Sequence, residues 1–179
     1  MKALIIIDMQ KGCVTPYSGC YDLPGVTARI NTLAEKFRAK QYPVILVQHD
    51  GSSENCLLPD TDDWHLIPEL VVAPHDIRLN KTANDSFYGT SLQSILSQKQ
   101  VTEIYLAGYS SDFCIDVTAK SALSKDYKVT VIADAHTTES KPHLDLDAHT
   151  IVKQFNWIWS VMPPAKEKLM VVNAGEVGV

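Results

Sequence analysis

Short apolar runs alternate with longer stretches of helical period along most of this chain. Ala3 to Ile7 is an unbroken apolar run that stops at Asp8, the pattern of a fully buried strand. After a Leu23-Pro24-Gly25 breaker, Val26, Ile30, Leu33, Ala34 and Phe37 recur at helical steps and predict an amphipathic helix. Pro43 then opens a second strand, Val44-Ile45-Leu46-Val47. Residues 49 to 75 are polar, carry Pro59, Pro68 and Pro74, and read as a long irregular excursion. Loops of that length are usually functional or covering segments. A short strand near Asp76–Leu79, a helix over Ser91–Ser97 and a strand over Glu103–Ala107 follow. Phe113–Leu123 reads as a helix, Val129–Ala133 as a strand and His143–Phe155 as a helix. The run Trp157–Met162 predicts a sixth and last strand, and Gly175 and Gly178 mark a frayed tail.

Alternation of buried strands with helices predicts a three-layer α/β/α fold around a central, mostly parallel six-stranded sheet. At 179 residues the chain reads as a single domain, residues 1–179. No internal repeat or low-complexity tract interrupts it.

In such sheets chemistry gathers at the carboxyl ends of the strands. Asp8 ends the first strand, Lys81 follows the third and Cys114 follows the fourth. A cysteine in a strand-to-helix turn lies near the helix N-terminus, where the dipole and unpaired N–H groups favour thiolate. That would make a nucleophile of a thiol whose ordinary pKa is about 8.5. The plainer reading of Cys114 is a small buried hydrophobe. Taken singly, Asp8 would be a turn cap and Lys81 a surface lysine. Asp112 suits a cap for the helix that carries Cys114, and Thr118 and Ala119 suit close helix packing without chemistry.

A net charge of −5 argues against a nucleic-acid partner and against attraction to anionic membranes. The first apolar run is too short for a signal-peptide core or a membrane span. Four cysteines, at 13, 20, 56 and 114, are too sparse for a disulfide scaffold and form no C-x-x-C pair. The expected setting is a cytoplasm that keeps thiols reduced.

Four segments taken together resemble the isochorismatase-like cysteine hydrolases. Ile5-Ile6-Ile7-Asp8-Met9-Gln10 is similar to the family's opening Asp-x-Gln strand end. Asn80-Lys81-Thr82, followed by Ser86-Phe87-Tyr88-Gly89-Thr90-Ser91-Leu92, looks like its lysine segment. Ala107-Gly108-Tyr109-Ser110-Ser111-Asp112-Phe113-Cys114, with Thr118-Ala119 and Ala122, resembles its nucleophile segment. Val129 to Ala135 matches the strand ending in Asp-Ala, and Phe155-Asn156-Trp157-Ile158-Trp159 fits more loosely.

The resemblance implies a catalytic triad of Asp8, Lys81 and Cys114. It also implies an oxyanion hole from the backbone N–H groups of Ser110 and Cys114, and a cis peptide between Tyr109 and Ser110. The implied reaction is hydrolysis of a C–N bond in a small amide, ureido or carbamoyl compound through a thioester. Gln10, Trp64, Phe87, Tyr88, Tyr109 and Phe113 are candidate pocket residues, although aromatics in a chain this apolar also build plain core. Phe113 and Cys13 depart from the commoner residues at their positions and bear on pocket shape. The family also implies a homo-oligomer, dimer or higher, with Trp157 and Trp159 as candidate interface residues.

No cofactor and no metal are expected. Nicotinamidase-type relatives hold a metal through an Asp-x-His after the second strand, where this chain has His49-Asp50-Gly51. Asp63-Trp64-His65 lies well down the following loop, and His65 reads as an ordinary loop histidine. Three alternatives stay open: a vinyl-ether hydrolase of the isochorismatase type, a metal-assisted amidase, and a non-catalytic thiol sensor or binding module.

Overall fold

Continuous apolar strands flanked by helices leave no face of the sheet for water, and the computed structural model, which describes residues 1–14 and 19–178, has that arrangement. The strands are β1 (Lys2–Ile7), β2 (Val44–His49), β3 (Ile77–Lys81), β4 (Glu103–Tyr109), β5 (Lys128–Thr137) and β6 (Met170–Val172). They lie in the order β3-β2-β1-β4-β5-β6, and each neighbouring pair is parallel. The helices are α1 (Lys11–Val14), α2 (Leu23–Ala39), α3 (Leu92–Gln98), α4 (Asp116–Leu123) and α5 (Ala148–Val161).

Strand residues alternate between two cores, as a period of two requires. Leu4, Ile6, Val44 and Leu46 pack with Val26, Ile30, Leu33 and Phe37 of α2. Ile5, Ile7, Ile45 and Val47 pack with Leu92 and Leu96 of α3, Ala119 of α4 and Trp159 of α5. The chain builds outward from β1 to β3, then returns past β1 to build β4, β5 and β6. The direction therefore reverses between β1 and β4, the place where open α/β sheets leave a crevice at their carboxyl ends.

Residues 50 to 76 stay irregular apart from a single turn at Ser52–Glu54. This excursion is tied down by a bidentate pair, Arg38 Nε to Asp76 Oδ1 at 3.0 Å and Nη2 to Oδ2 at 2.6 Å. Among the described residues no helix is long and apolar enough to cross a membrane.

Three sequence expectations need correction. Leu23-Pro24-Gly25 does not precede α2 but forms its first turn, where a proline's missing N–H costs nothing. Trp157–Met162 is not the last strand: residues 157 to 161 finish α5, and Ile151, Val152, Phe155 and Trp159 continue one helical stripe. The run is apolar on both sides because Trp157 and Val161 face out, which disguised the period. The tail is not frayed either. It supplies β6, and Asn173 and Glu176 close a capping box that seats buried Ala174 and Val177.

Candidate active site

β1 ends at Asp8, whose positive φ of 50° turns the chain as its N–H donates to the Val47 carbonyl at 2.8 Å. Two strands away, at the end of β3, Lys81 is in register with His49. Its long side chain spans the end of β2 to reach Asp8 Oδ2 at 2.8 Å. The same ammonium donates to the Ala83 carbonyl at 3.0 Å and to Cys114 Sγ at 3.3 Å. An ammonium has three donors, so the lysine head is fully engaged and fixed. Asp8, Lys81 and Cys114 are all buried, and Asp8 Oδ1 has no hydrogen-bond partner among the described residues.

Cys114 reaches this point through the end of β4. Gly108 has φ 116°, and a Cβ there would sit 2.1 Å from the Ile7 carbonyl oxygen, so only glycine lets β4 approach β1 this closely. The ladder to β5 shifts register between Leu106 and Gly108, and the Tyr109–Ser110 peptide is cis. A turn of π-helix, Ser111–Ile115, then carries the nucleophile candidate into α4. The Ser110 carbonyl accepts from the N–H groups of Phe113 at 3.2 Å and Ile115 at 3.0 Å.

The protonation pattern differs from the thiolate expected at a helix N-terminus. Burial, and then the Asp8 carboxylate, push the Cys114 thiol up to about 12, while Lys81 pulls the other way. Lys81 is charged: burial opposes its charge, but Asp8 and Cys114 together raise it above an ordinary lysine. The physical reason is that the ammonium is already neutralised by Asp8, so the sulfur meets a closed ion pair in place of a free cation. Burial and the neighbouring Asp8 thus favour the neutral thiol beside the Lys81–Asp8 ion pair.

Sequence reasoning missed the supporting residues. Cys114 Sγ lies 3.6 Å from Asn84 Oδ1, which reaches in from the loop after β3. Thr118, expected to be packing alone, accepts from the Ser86 N–H at 3.0 Å and donates to Ser86 Oγ at 3.0 Å, pinning that loop to α4. Asp112 does not cap a helix: its Oδ1 accepts from Thr138 Oγ1 at 2.6 Å, with Lys141 3.7 Å from Oδ2. His136 ends up beside the nucleophile turn, bonded to Ser111. Its place near the carboxyl end of β5 was the available signal.

The candidate pocket residues separate. Gln10 is fully buried, its amide taking the His49 and Trp64 carbonyls and the His49 N–H, so it clamps two segments and has no surface left for a ligand. Phe87 is core, stacked on Tyr127 in the cluster that holds Cys114. Trp64 and Tyr109 are half-buried, and burial followed by Glu139 raises the Tyr109 hydroxyl above its usual pKa. Tyr88 and Phe113 are exposed, and Lys141 sits 5.6 Å over the Phe113 ring. Phe113, Asp112, Glu139, Lys141 and Phe155 line a cavity of about 450 Å³ beside the nucleophile turn. A larger one of about 600 Å³, between α2 and residues 62–69, is lined by none of Asp8, Lys81 and Cys114. His65 is exposed, and His49 faces Glu54 at 3.4 Å. Trp159, expected at an interface, is buried and donates to Asp116 Oδ1 at 2.9 Å, whereas Trp157 is exposed.

The streptothricin hydrolase of Streptomyces noursei is 30% identical over 142 residues, which cover 79% of this chain and 56% of that protein. This chain thus spans little more than half that relative's length. The ureidoacrylate amidohydrolase RutB of Pseudomonas syringae pv. syringae is 25% identical, over 89% of this chain and 80% of that one. A crystal structure of an isochorismatase family protein superposes with a TM-score of 0.85 at 30% identity, over 96% of this chain and 98% of the other. The sequence profile of the isochorismatase domain matches residues 2–161, a span that takes in Asp8, Lys81, Cys114 and the whole nucleophile turn. By its sequence over nine-tenths of its length and by its fold, this chain belongs to the isochorismatase family.

Proposed function

We propose that this protein is a cysteine hydrolase that cleaves a C–N bond in a small amide, ureido or carbamoyl compound through a thioester. One observation carries the reading. Lys81 is held between Asp8 and Cys114, and the second carboxylate oxygen of Asp8 is buried with no donor among the described residues. A buried acceptor without a partner is costly unless something else uses it. Here it serves as the base that takes the thiol proton. The name of one relative, a ureidoacrylate amidohydrolase, supports the same bond class, and the streptothricin hydrolase supports hydrolysis.

The steps balance. Asp8 takes the Cys114 proton as Sγ attacks the carbonyl carbon, and the C=O electron pair moves onto oxygen. Backbone N–H groups of Ser110 and Cys114 receive that oxyanion. Its collapse breaks the C–N bond, Asp8 returns the proton to the leaving nitrogen, and a thioester remains. Water then attacks with Asp8 again as base, releasing the acid and restoring the thiol. Lys81 holds Asp8 in place and steadies the developing thiolate. No step calls on a metal or cofactor. Trp64, Tyr109 and Phe113 wall the substrate, and the protein works in a reducing cytoplasm as a homo-oligomer, with exposed Trp157 at the contact.

The test is ammonia release across a panel of small amides and ureido acids, with hydroxylamine present to intercept the thioester as a hydroxamate. Turnover and hydroxamate should both vanish in Cys114→Ala. Ammonia release within tenfold of the wild type in that variant would mean that Cys114 is not the nucleophile and would refute the thioester route.

A further inference from the structure

We infer that His136 is a positioning residue for the nucleophile turn, acting through the hydroxyl of Ser111. His136 Nδ1 lies 2.7 Å from Ser111 Oγ, and its Nε2 lies 3.0 Å from Asn156 Oδ1. Asn156 Nδ2 donates to the Ala133 carbonyl at 2.9 Å, which sets the amide's orientation. Asn156 Oδ1 must therefore accept, so the ring proton is on Nε2 and Nδ1 offers a lone pair. Ser111 Oγ–H then has one direction in which to donate. Burial holds the imidazole neutral, with its pKa pushed down to about 4, which keeps that lone pair available.

Ser111 is fully buried and opens the π-helical turn immediately after Ser110. The far side of the same turn is tied separately, by Trp159 Nε1 to Asp116 Oδ1 at 2.9 Å. The rings of His136 and Trp159 meet edge to face at 5.1 Å, so the two tethers brace one another. The Ser111 tether is the one next to the Ser110 peptide. It consequently sets where the Ser110 and Cys114 N–H groups point, while the Asp116 tether holds the start of α4. A chain Asn156–His136–Ser111 ending three residues before the nucleophile fits the steering of donors toward a tetrahedral oxygen better than it fits packing, which an apolar side chain would serve equally.

This inference rests on the reading of Cys114 as an acyl-transfer nucleophile, and two electrophiles separate the two. Iodoacetamide reacts at sp3 carbon and creates no oxyanion. Propanal adds the S–H of Cys114 across its C=O: the S–C bond forms, the thiol proton ends on oxygen, and that oxygen occupies the tetrahedral position. Propanal affinity is read as protection of Cys114 from iodoacetamide, by mass spectrometry of the Cys114 peptide. The variants are Ser111→Ala, His136→Gln and His136→Asn. A glutamine places its amide near the Nε2 position and keeps Asn156 company, but it loses the acceptor for Ser111. An asparagine ends near the Nδ1 position and retains that acceptor.

Ser111→Ala and His136→Gln should weaken propanal binding by about tenfold or more, the scale of impairing an oxyanion donor, with iodoacetamide rates within about threefold of the wild type. His136→Asn should bind propanal within about threefold of the wild type, as rescue by the δ-position acceptor requires. Unchanged propanal affinity in both Ser111→Ala and His136→Gln would overturn the inference alone. If His136→Gln does not fold, Ser111→Ala decides it. No protection in the wild type would overturn the nucleophile reading and this inference with it.

Discussion

Removing the charge of Asp8 should speed alkylation of Cys114 while stopping turnover in the same protein. Burial and then Asp8 hold the thiol up to about 12, against the pull of Lys81. Asp8 Oδ2 and Cys114 Sγ share one ammonium, at 2.8 and 3.3 Å, so carboxylate and sulfur are no more than about 6 Å apart by simple geometry. At that separation, with an effective dielectric near 20, two like charges repel by about 3 kcal/mol, or roughly two pK units. Because burial contributes more than the charge, one to two units is a fair share for Asp8, or about 10- to 100-fold in thiolate fraction. A less basic thiolate is also less nucleophilic, with a Brønsted slope of about 0.4–0.5, so the net gain is about three- to tenfold. The assay is the iodoacetamide rate on the Cys114 peptide at pH 8 in Asp8→Asn and wild type, beside ammonia release. Release should fall by about 10²-fold or more with the base gone. In the wild type the alkylation rate should still climb past pH 9. Slower alkylation in Asp8→Asn, or a wild-type plateau near pH 8, would refute a thiol held protonated by its neighbour.

Three further outcomes follow from the same geometry. Lys81→Met leaves the buried Asp8 carboxylate without its cation and should cost about 3–5 kcal/mol in denaturant unfolding; a loss under 1 kcal/mol would mean the pair is not closed in solution. His136 has a native pKa of about 4 below an unfolded value near 6.5, so its contribution is complete above pH 6.5 and is lost as pH falls toward 4, by about 3 kcal/mol in all. That loss should be missing from the stability–pH curve of His136→Asn, so parallel curves for the two proteins would count against a buried neutral ring. Trp157→Asp should lower the mass seen by light scattering to that of a monomer, and a monomeric wild type at micromolar concentration would refute the proposed assembly.

Much of the architecture was written in local pattern. Ala3–Ile7 and Val44–Val47 are continuous apolar runs because both faces of a parallel sheet are covered, and the α2 stripe repeats as its buried face requires. Strand ends also put Asp8, Lys81 and Cys114 at one edge of the sheet, at or just after the close of the first, third and fourth strands. Local pattern failed where one segment was apolar for two reasons. Trp157 and Trp159 are two positions apart and look alike in sequence, yet one is exposed and the other buried against Asp116. The three-residue β6 has no periodicity to read and exists because β5 offers it an edge.

The state of the site belongs to tertiary structure alone. In sequence, Lys81 is a cation available to Cys114; in the fold it is already paired with Asp8 across the end of β2, and burial pushes the thiol up. His136, Asn156 and Ser111 lie on three elements, and only the closing of the sheet and the packing of α5 against the nucleophile turn join them. Burial periodicity is a property of neighbours along the chain, so sequence by itself determined the layers, the strand ends and the residue types gathered there. Charge, proton position and hydrogen-bond direction depend on distances of a few ångströms between segments 20 to 100 residues apart. Those distances are set by strand order and register, and they decide which carboxylate oxygen is left without a donor among the described residues and which thiol lies beside the ion pair.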